Sequence, residues 1–260
     1  MKILTWNIKR GGVSSDGIWQ LINIEDPDIV LLQECKEIPN SFKEKYNIIK
    51  RKAVKKNLTK QSFETVLMSK YKMKEIIPYE NEEVLSTMKK LDGNIIFSQV
   101  YTENEIFKIA SVYLPAWGLN QDFIDKSLSD KIRSPLSKIA WSPSILSYSL
   151  AKIENFKNEN WIIAGDFNLA ETLSGRIGEI SKTEFNKFRD VGLVDAISEV
   201  NKKQIPTFKN TNGGSVKHQI DYVFVTEKIL SRVSECLVLN DKHVFEKKVS
   251  DHLPVLTIIK

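Results

Sequence analysis

The sequence has little cysteine and no long apolar run. Its two cysteines, Cys35 and Cys236, share no spacing motif, which favours two free thiols in a reduced compartment and leaves a single disulfide open. No apolar stretch approaches the roughly 20 residues of a membrane span. A strand-like segment follows Met1 almost directly, so no signal peptide is predicted. With Met1 as the natural start, these features predict a cytoplasmic protein that does not cross a membrane.

Arginine and net charge are also scarce. Arginine supplies only six of the 38 basic residues, and the formal net charge is +5. Lysine suits phosphate contacts better than the bidentate recognition of bases. The charge therefore permits a polyanionic partner without requiring one. No internal repeat or Gly/Pro-rich linker divides the chain, so we predict a single domain over residues 1–260.

Short apolar runs that alternate with a few helices indicate an α/β protein. Strand-like runs lie at 28–33, 63–68, 94–101, 106–114, 161–165, 220–226, 233–239 and 254–259. Helices are predicted over 15–25, 144–157 and 181–190, the last from a capping-box pattern of Ser181 and Glu184. Loops are predicted at 115–143 and 204–218. Many strands with few helices favour two packed sheets flanked by helices.

Polar residues stand at the ends of these apolar runs. They are Asn7, Glu34, Asp166, Asn168, Asp221, Asp251 and His252. A set that is rich in acids and has one histidine suits a hard divalent cation and phosphate chemistry. The alternatives are a strand-end surface carboxylate for each acid, an Asx turn for Asp166 with Asn168, and a structural role for His252.

The chemistry of each group gives it a candidate role. Glu34 and Asp251 are candidate ligands of Mg²⁺, which prefers a few carboxylates together with water and substrate oxygens. Asp166 could orient or deprotonate the attacking water, while the Asn168 carboxamide donates to the phosphate. His252 could donate to the charge that develops on the phosphate, oriented by a second carboxylate such as that of Asp221.

Five motifs resemble, in order and in approximate spacing, those of the endonuclease/exonuclease/phosphatase superfamily, which has the DNase I-like fold. They are Thr5-Trp6-Asn7-Ile8, Leu31-Leu32-Gln33-Glu34-Cys35-Lys36, Gly165-Asp166-Phe167-Asn168, Gln219-Ile220-Asp221-Tyr222 and Ser250-Asp251-His252-Leu253-Pro254. The resemblance implies a four-layered α/β sandwich of two mixed sheets flanked by helices. It also implies a phosphoester hydrolase that depends on Mg²⁺ or Mn²⁺.

The resemblance assigns a role to each matching position. Asn7 and Glu34 would lie at the metal and the phosphate, with Glu34 as the principal ligand, and Asp251 would assist the metal or the water. Asp166 would align the water and Asn168 would bind the phosphate. The last pair is a dyad in which Asp221 holds His252, and His252 stabilises the pentavalent phosphate.

The segment Val112-Tyr113-Leu114-Pro115 resembles the exonuclease III and AP endonuclease group. Tyr113 would then contact the phosphate or the leaving oxygen, the alternative being a core aromatic. The chain departs from that group at Lys9, where an acid or amide is expected, and at Gln219, where a basic residue is usual. Recognition of an abasic site is therefore not predicted.

Several further residues are candidates for substrate contacts. Lys9 and Arg10 could reach phosphates that flank the scissile bond, and the basic run from Lys50 to Lys60 could follow a nucleic-acid backbone or form a solvated hairpin face. Trp117, Trp141 and His218 complete the set, the tryptophans either stacking on bases or anchoring their own loop.

The leading hypothesis is a nuclease or phosphodiesterase that acts on DNA or RNA. The alternatives are a hydrolase of a small or lipid phosphoester and, third, a catalytically silent binding protein. No protein partner is predicted.

Overall fold

The structure is a computed structural model that describes residues 1–209, 216–239, 242–246 and 248–260. The centre of the predicted loop 204–218, at 210–215, lies outside these ranges. Within them no helix is long and apolar enough to cross a membrane.

The strands are β1 (Lys2–Asn7), β2 (Ile29–Cys35), β3 (Asn47–Val54), β4 (Lys60–Ser69), β5 (Lys72–Glu75), β6 (Ile95–Tyr101), β7 (Ile106–Tyr113), β8 (Gly118–Leu119), β9 (Ala140–Trp141), β10 (Trp161–Asp166), β11 (Leu193–Asp195), β12 (Phe208–Lys209), β13 (Val216–His218), β14 (Asp221–Thr226), β15 (Val233–Val238) and β16 (Val255–Ile259). The helices are α1 (Asp16–Glu25), α2 (Asn40–Lys45), α3 (Glu82–Lys90), α4 (Lys126–Ile132), α5 (Ser142–Leu150), α6 (Gly175–Asp190), α7 (Ala196–Asn201), α8 (Glu227–Leu230) and α9 (Lys242–Glu246), with a 3-10 turn at Phe156–Asn158.

Two six-stranded mixed sheets carry most of the strands. The first has the order β15-β16-β1-β2-β4-β3 and the second the order β11-β14-β10-β7-β6-β5. In the first sheet β1 runs parallel to β2, and in the second β10 runs parallel to β7. Strand β16, near the end of the chain, pairs antiparallel with β1. This pairing returns the segment before β16 to the carboxyl end of β1.

Apolar side chains bury both faces of each sheet, which gives four layers. Between the sheets, Leu31 of the first joins Ile109 and Ile162 of the second in one cluster. A second cluster covers the outer face of the first sheet with α1, and a third covers the outer face of the second sheet with α5 and α6. Such burial is the dominant favourable term in folding. The predicted four-layered α/β sandwich is confirmed.

Several local predictions need correction. Helix α6 begins at Gly175, not at 181, and Ser181 lies inside it with its hydroxyl donating to the carbonyl of Ile177. A serine within a helix can use the carbonyl of the preceding turn in this way, so the capping-box interpretation is wrong. Helix α5 ends at Leu150, short of 157. The predicted loop 115–143 contains α4 and the short β8–β9 pair.

The two cysteines are free and buried, each in a different apolar cluster. Cys35 belongs to the apolar cluster on the outer face of the first sheet, and Cys236 belongs to the cluster between the two sheets. Because they belong to separate layers of the core, the structure favours two free thiols over a disulfide.

The sheet registers bring polar strand ends together. Asn7 at the end of β1 lies beside Gln33 of β2. In the second sheet Asp166 at the end of β10 lies between Tyr113 of β7 and Asp221 of β14. The two sheets therefore present their polar residues at one edge of the sandwich.

Candidate active site

Asp166 lies at the centre of a buried hydrogen-bond network that joins the two sheets. Its side chain is only 1% exposed. The Asn7 Nδ2 donates to Asp166 Oδ2 at 2.9 Å. Asn168 donates from its backbone N–H to Oδ1 at 2.8 Å and from its Nδ2 to Oδ2 at 3.1 Å. A carboxylate held by this many donors has a fixed orientation. The structure thus brings three of the predicted site residues into direct contact.

The residue before Asp166 explains why the strand can end in this place. Gly165 has a φ of +146°, and a Cβ built on it would lie 1.9 Å from the carbonyl oxygen of Val112. Only glycine allows such a close approach between β10 and β7. The approach sets Asp166 beside Tyr113. Asn168 follows with a φ of +51°, a conformation that asparagine tolerates better than most residues.

His252 and Asp221 form a buried dyad. The His252 Nδ1 lies 2.9 Å from Asp221 Oδ2 and 3.1 Å from Oδ1. Because an ionised carboxylate only accepts, Nδ1 carries the proton. The other ring nitrogen, Nε2, lies 4.0 Å from Asp166 Oδ2. The dyad therefore directs Nε2 toward the carboxylate at the centre of the network.

Burial and mutual charge shift the titration of this cluster. Burial raises the pKa of Asp166 to about 7, with a further upward contribution from the charge of Asp221. Burial alone would lower the pKa of His252, but the carboxylates of Asp221 and Asp166 outweigh it and raise that pKa to about 9. The two carboxylates thus favour the protonated imidazole, in which Nε2–H is a donor.

A β-bulge positions Glu34. The register of β2 against β4 shifts between Leu32 and Cys35, and Glu34 has a φ of +55°. Left-handed backbone of this kind costs a non-glycine residue about 1–3 kcal/mol and concentrates at functional sites. Bulges are likewise frequent beside active sites, where they redirect a side chain. Here the bulge coincides with the acid that ends β2.

Tyr113 contacts Glu34 across the gap between the sheets. Its hydroxyl donates to Glu34 Oε1 at 3.2 Å, and its ring packs edge-on against Phe63 of β4. Burial, together with the charge of Glu34, raises the pKa of Tyr113 well above its ordinary value. The phenol is therefore neutral and can act as a hydrogen-bond donor. The tyrosine belongs to the polar network at its hydroxyl and to the core at its ring.

Asp251 and the turn after β1 complete the polar edge. The Lys9 Nζ lies 3.2 Å from Asp251 Oδ2, and the Arg10 Nε lies 4.0 Å from Glu34 Oε2. The backbone N–H of Lys9 donates to Asn7 Oδ1 at 3.0 Å. Two basic side chains thus face two acids, Glu34 in β2 and Asp251 in the segment before β16.

The donor chemistry of this edge suits a hard divalent cation. Glu34 and Asp251 offer carboxylate oxygens that are about one-fifth exposed, and both already face cationic side chains. Within the residues that the structure describes, one group of three metal-type side chains lies close together, namely Asp166, Asp221 and His252. In that buried group the His252 Nδ1 already donates to Asp221 at 2.9–3.1 Å, so the cluster is closed by its own hydrogen bonds and this nitrogen has no lone pair for an ion. The partly exposed carboxylates therefore fit an ion better than the closed cluster.

Comparison with protein families decides the classification. The model of the Endonuclease/Exonuclease/phosphatase family matches residues 4–252. The chain belongs to this family. It is therefore a phosphoester hydrolase of the nuclease-like type, and the family generally depends on a divalent metal. No curated protein sequence matches the chain.

Solved structures share the fold of this Endonuclease/Exonuclease/phosphatase member. An AP endonuclease from Archaeoglobus fulgidus is 17% identical, with a TM-score of 0.72 over 100% of this chain and 99% of that one. A 3' phosphatase from Neisseria, bound to a product DNA hairpin, is 17% identical, with a TM-score of 0.70 over 100% and 99% of the two chains. The catalytic domain of Xenopus laevis APE2 is 19% identical, with a TM-score of 0.68 over 100% and 92%. At these identities the likeness shows a shared fold, and the predicted superfamily is confirmed by the family match.

The remaining predicted substrate residues contact other side chains of the described chain. Trp117 packs against Phe123 with ring centroids 4.9 Å apart. The Trp141 Nε1 donates to Ser137 Oγ at 3.2 Å. Both tryptophans thus make contacts within their own segment, which favours the anchoring alternative. His218 contacts the Thr172 hydroxyl at 2.9 Å.

The basic run forms part of the β3–β4 hairpin. Three of its cations pair with acids, at distances of 2.7, 2.6 and 3.3 Å. These pairs are Lys50 with Glu64, Arg51 with Glu75 and Lys60 with Asp92. Lys52, Lys55 and Lys56 are exposed. For the three paired cations, the solvated hairpin face is the better interpretation.

Sequence reasoning missed Thr207. This fully buried residue accepts hydrogen bonds at its Oγ1 from the backbone N–H groups of Ile220 and Asp221, both at 3.2 Å. Its carbonyl accepts from the N–H of Leu253 at 2.7 Å. Thr207 therefore links the segments that carry Asp221 and His252. The only local signal was its place after Pro206 in a predicted loop.

Ser250 was also missed. Its hydroxyl donates to the carbonyl of Asn7 at 2.7 Å and accepts from the N–H of His252 at 3.0 Å. The Trp6 indole N–H donates to the carbonyl of His252 at 2.9 Å. These bonds fasten the His252 segment to the end of β1.

Proposed function

We propose that this chain is a nuclease that hydrolyses phosphodiester bonds of DNA or RNA with Mg²⁺ or Mn²⁺ bound. The observation that carries the proposal is the arrangement around Asp166. A fixed carboxylate lies within 4.0 Å of an imidazole nitrogen, and that imidazole is held on its far side by Asp221. A water-directing acid and a donor for a phosphate oxygen are the two protein groups that in-line attack on a phosphodiester requires.

Asp166 would orient the attacking water and accept its proton. Asn7 and Asn168 hold the carboxylate in place through donors to both of its oxygens. Such pre-organisation removes the cost of reorienting the base during the reaction. The Asn168 Nδ2 donates both to Asp166 Oδ2 at 3.1 Å and to the carbonyl of Leu114 at 2.9 Å, so it would bind a phosphate oxygen by exchanging one of these bonds.

His252 would donate from Nε2 to a non-bridging phosphate oxygen as negative charge builds on it. Asp221 keeps the ring in the required tautomer and orientation. Tyr113, with a neutral hydroxyl 3.2 Å from Glu34, is placed to donate to the phosphate or to the leaving oxygen. Each of these donors favours the transition state because charge grows where the donor points.

Glu34 and Asp251 would hold the metal, with the carboxamide oxygen of Asn7 as a further ligand. A bound Mg²⁺ neutralises charge on the phosphate and on the leaving oxygen. The support for these ligands is their hard oxygen chemistry and their partial exposure.

A nucleic-acid substrate is favoured over a small or lipid phosphoester by the positive residues at the polar edge. Lys9 and Arg10 lie directly beside it, and the net charge of the chain is +5. Among proteins of the same fold, one is an AP endonuclease and another is bound to a DNA hairpin. Repeated phosphates on a polymer would use flanking basic residues that a single phosphoester cannot reach.

A substrate panel tests the proposal. Purified protein is incubated with plasmid, single-stranded DNA, RNA, an abasic duplex, bis-p-nitrophenyl phosphate and phospholipid vesicles, each with Mg²⁺, Mn²⁺ or a chelator. We expect metal-dependent cleavage of at least one nucleic acid, loss of cleavage in Asp166→Asn, and unchanged cleavage in Asp190→Asn, an exposed control on α6. Hydrolysis of only the small or lipid phosphoesters would refute the nuclease proposal. Absence of hydrolysis with every metal would favour a binding protein.

A further inference from the structure

Two basic residues that follow β1 face the two acids proposed to hold the metal. The Lys9 ammonium lies 3.2 Å from an oxygen of Asp251, and the Arg10 guanidinium lies 4.0 Å from an oxygen of Glu34. The ring of Phe63 supports Arg10 at 5.8 Å from the guanidinium carbon. Each of the two proposed carboxylate ligands therefore has a protein cation of its own.

The backbone fixes this arrangement. Lys9 and Arg10 have φ angles of +46° and +60°, so two consecutive non-glycine residues adopt the left-handed conformation. The N–H of Gly11 closes the turn by donating to the carbonyl of Ile8 at 2.8 Å, and the N–H of Lys36 donates to the carbonyl of Gly11 at 2.8 Å. Surrounding hydrogen bonds thus maintain a strained turn, and strain of this kind persists only where the structure over-determines it.

One carboxylate oxygen cannot contact a divalent metal ion and a basic side chain at the same time. A magnesium ligand lies about 2.1 Å from the ion, and an ammonium hydrogen-bonded to that oxygen would lie within contact of the ion and repel it. The side chains of Lys9 and Arg10 are 46% and 61% exposed. Ion pairs with this much exposure are worth about 0–1 kcal/mol, so they can be exchanged for a stronger partner.

We propose that Lys9 and Arg10 are exchangeable counter-ions that couple metal binding to substrate binding. This inference rests on the proposed function. When a phosphodiester and a divalent cation bind together, the ammonium leaves Asp251 for a phosphate oxygen and the cation takes its place on the carboxylate. The charges balance, because each carboxylate and each phosphate keeps a cation throughout. Either ligand alone must break an ion pair without compensation, so the two ligands bind with positive cooperativity.

The coupling predicts an unusual effect of removing Lys9. Lys9→Gln should tighten Mn²⁺ binding in the absence of substrate by about three- to ten-fold, since it removes both a competitor and a neighbouring positive charge. It should also reduce the factor by which a polyanion improves Mn²⁺ binding. Reciprocity requires the same reduction in the factor by which Mn²⁺ improves polyanion binding.

Electron paramagnetic resonance of free Mn²⁺ measures the binding directly, without any reaction. The full chain is titrated with Mn²⁺ alone and with a short phosphorothioate DNA oligonucleotide. The variants are Lys9→Gln, Lys9→Arg, which keeps the charge and should resemble the wild type, and Lys43→Gln. Lys43 is an exposed residue of α2 that contacts Asn40, so its replacement removes one charge outside the site. Circular dichroism verifies that each variant is folded.

The outcomes separate this inference from the proposed function. Tighter Mn²⁺ binding in Lys9→Gln than in Lys43→Gln, with a smaller oligonucleotide effect, supports it. Equal Mn²⁺ affinity in these two variants would overturn the counter-ion inference while leaving the metal site intact. If wild type and Glu34→Gln bind Mn²⁺ equally, with and without the oligonucleotide, the proposed ligand set itself is wrong.

Discussion

Replacing Thr207 with valine should destabilise the protein and disturb the dyad, although the two side chains have almost the same shape. The Thr207 Oγ1 accepts from two backbone N–H groups, those of Ile220 and Asp221. Valine offers no acceptor, and a buried polar group left without a partner costs about 1–3 kcal/mol. Because both bonds are long, at 3.2 Å, we expect the lower part of that range for each. The expected loss is about 2–4 kcal/mol in the free energy of unfolding.

Urea unfolding followed by tryptophan fluorescence gives the magnitude, and Thr207→Ser is the matched control. Serine keeps the hydroxyl and removes one buried methyl group, which costs about 1 kcal/mol. The valine variant should therefore be the less stable of the two, and its hydrolysis rate should fall more. A valine variant that is as stable as the serine variant would refute the claim that this hydroxyl links the segments of Asp221 and His252.

Further predictions concern the dyad, the backbone and pH. Asp221→Asn should lower the hydrolysis rate by about 10²–10⁴-fold, because an amide no longer stabilises the imidazolium; a rate within a factor of three of the wild type would exclude the dyad. Gly165→Ala should cost about 3 kcal/mol of stability, since its Cβ would collide with the Val112 carbonyl at 1.9 Å, and an unchanged thermal midpoint would contradict this. The Arg232 guanidinium holds the pKa of Glu105 below its ordinary value. The ion pair therefore stabilises the folded protein fully at any pH above the pKa that Glu105 has in the unfolded chain. This stabilisation is lost as the pH falls through the lower pKa that Glu105 has in the folded protein. Glu105→Gln should thus cost about 1 kcal/mol at neutral pH and nothing in strong acid, and a cost that is independent of pH would refute the assignment.

The sheet architecture was predictable because its strands are apolar and its motifs occur in order. Runs such as 161–165 appear as strands with nearly the predicted bounds. Strand β3 was foreseen only as the hairpin alternative for the basic run. It carries Lys50, Arg51 and Lys52 on a largely exposed edge strand, where contact with solvent leaves no apolar pattern to mark a strand. The Ser181 and Glu184 pattern also misplaced the start of α6. The first turns of this helix are mostly exposed, so they lack the apolar spacing that would have marked them as helical.

The site was predictable as a list of residues but not as a set of contacts. The residues that end strands meet because β1 and β10 end at the same edge of the sandwich. The bulge at Glu34 and the left-handed turn at Lys9 leave no simple trace in sequence, because neither position carries the glycine that such backbone favours. Thr207 was missed since its partners lie 13 and 14 residues further along the chain. Long-range hydrogen bonds of this kind depend on the fold itself.

The most direct test of the central claim is the single-turnover rate of phosphodiester hydrolysis with saturating Mg²⁺, measured for wild type, Glu34→Gln, Asp166→Asn and the double variant. If the two acids act in one centre, each single variant should lose at least about 10²-fold in rate. The double variant should lose far less than the product of the two single losses, because residues that act as a unit are not additive. A single variant that keeps its rate, or two losses that multiply fully, would contradict the proposed centre.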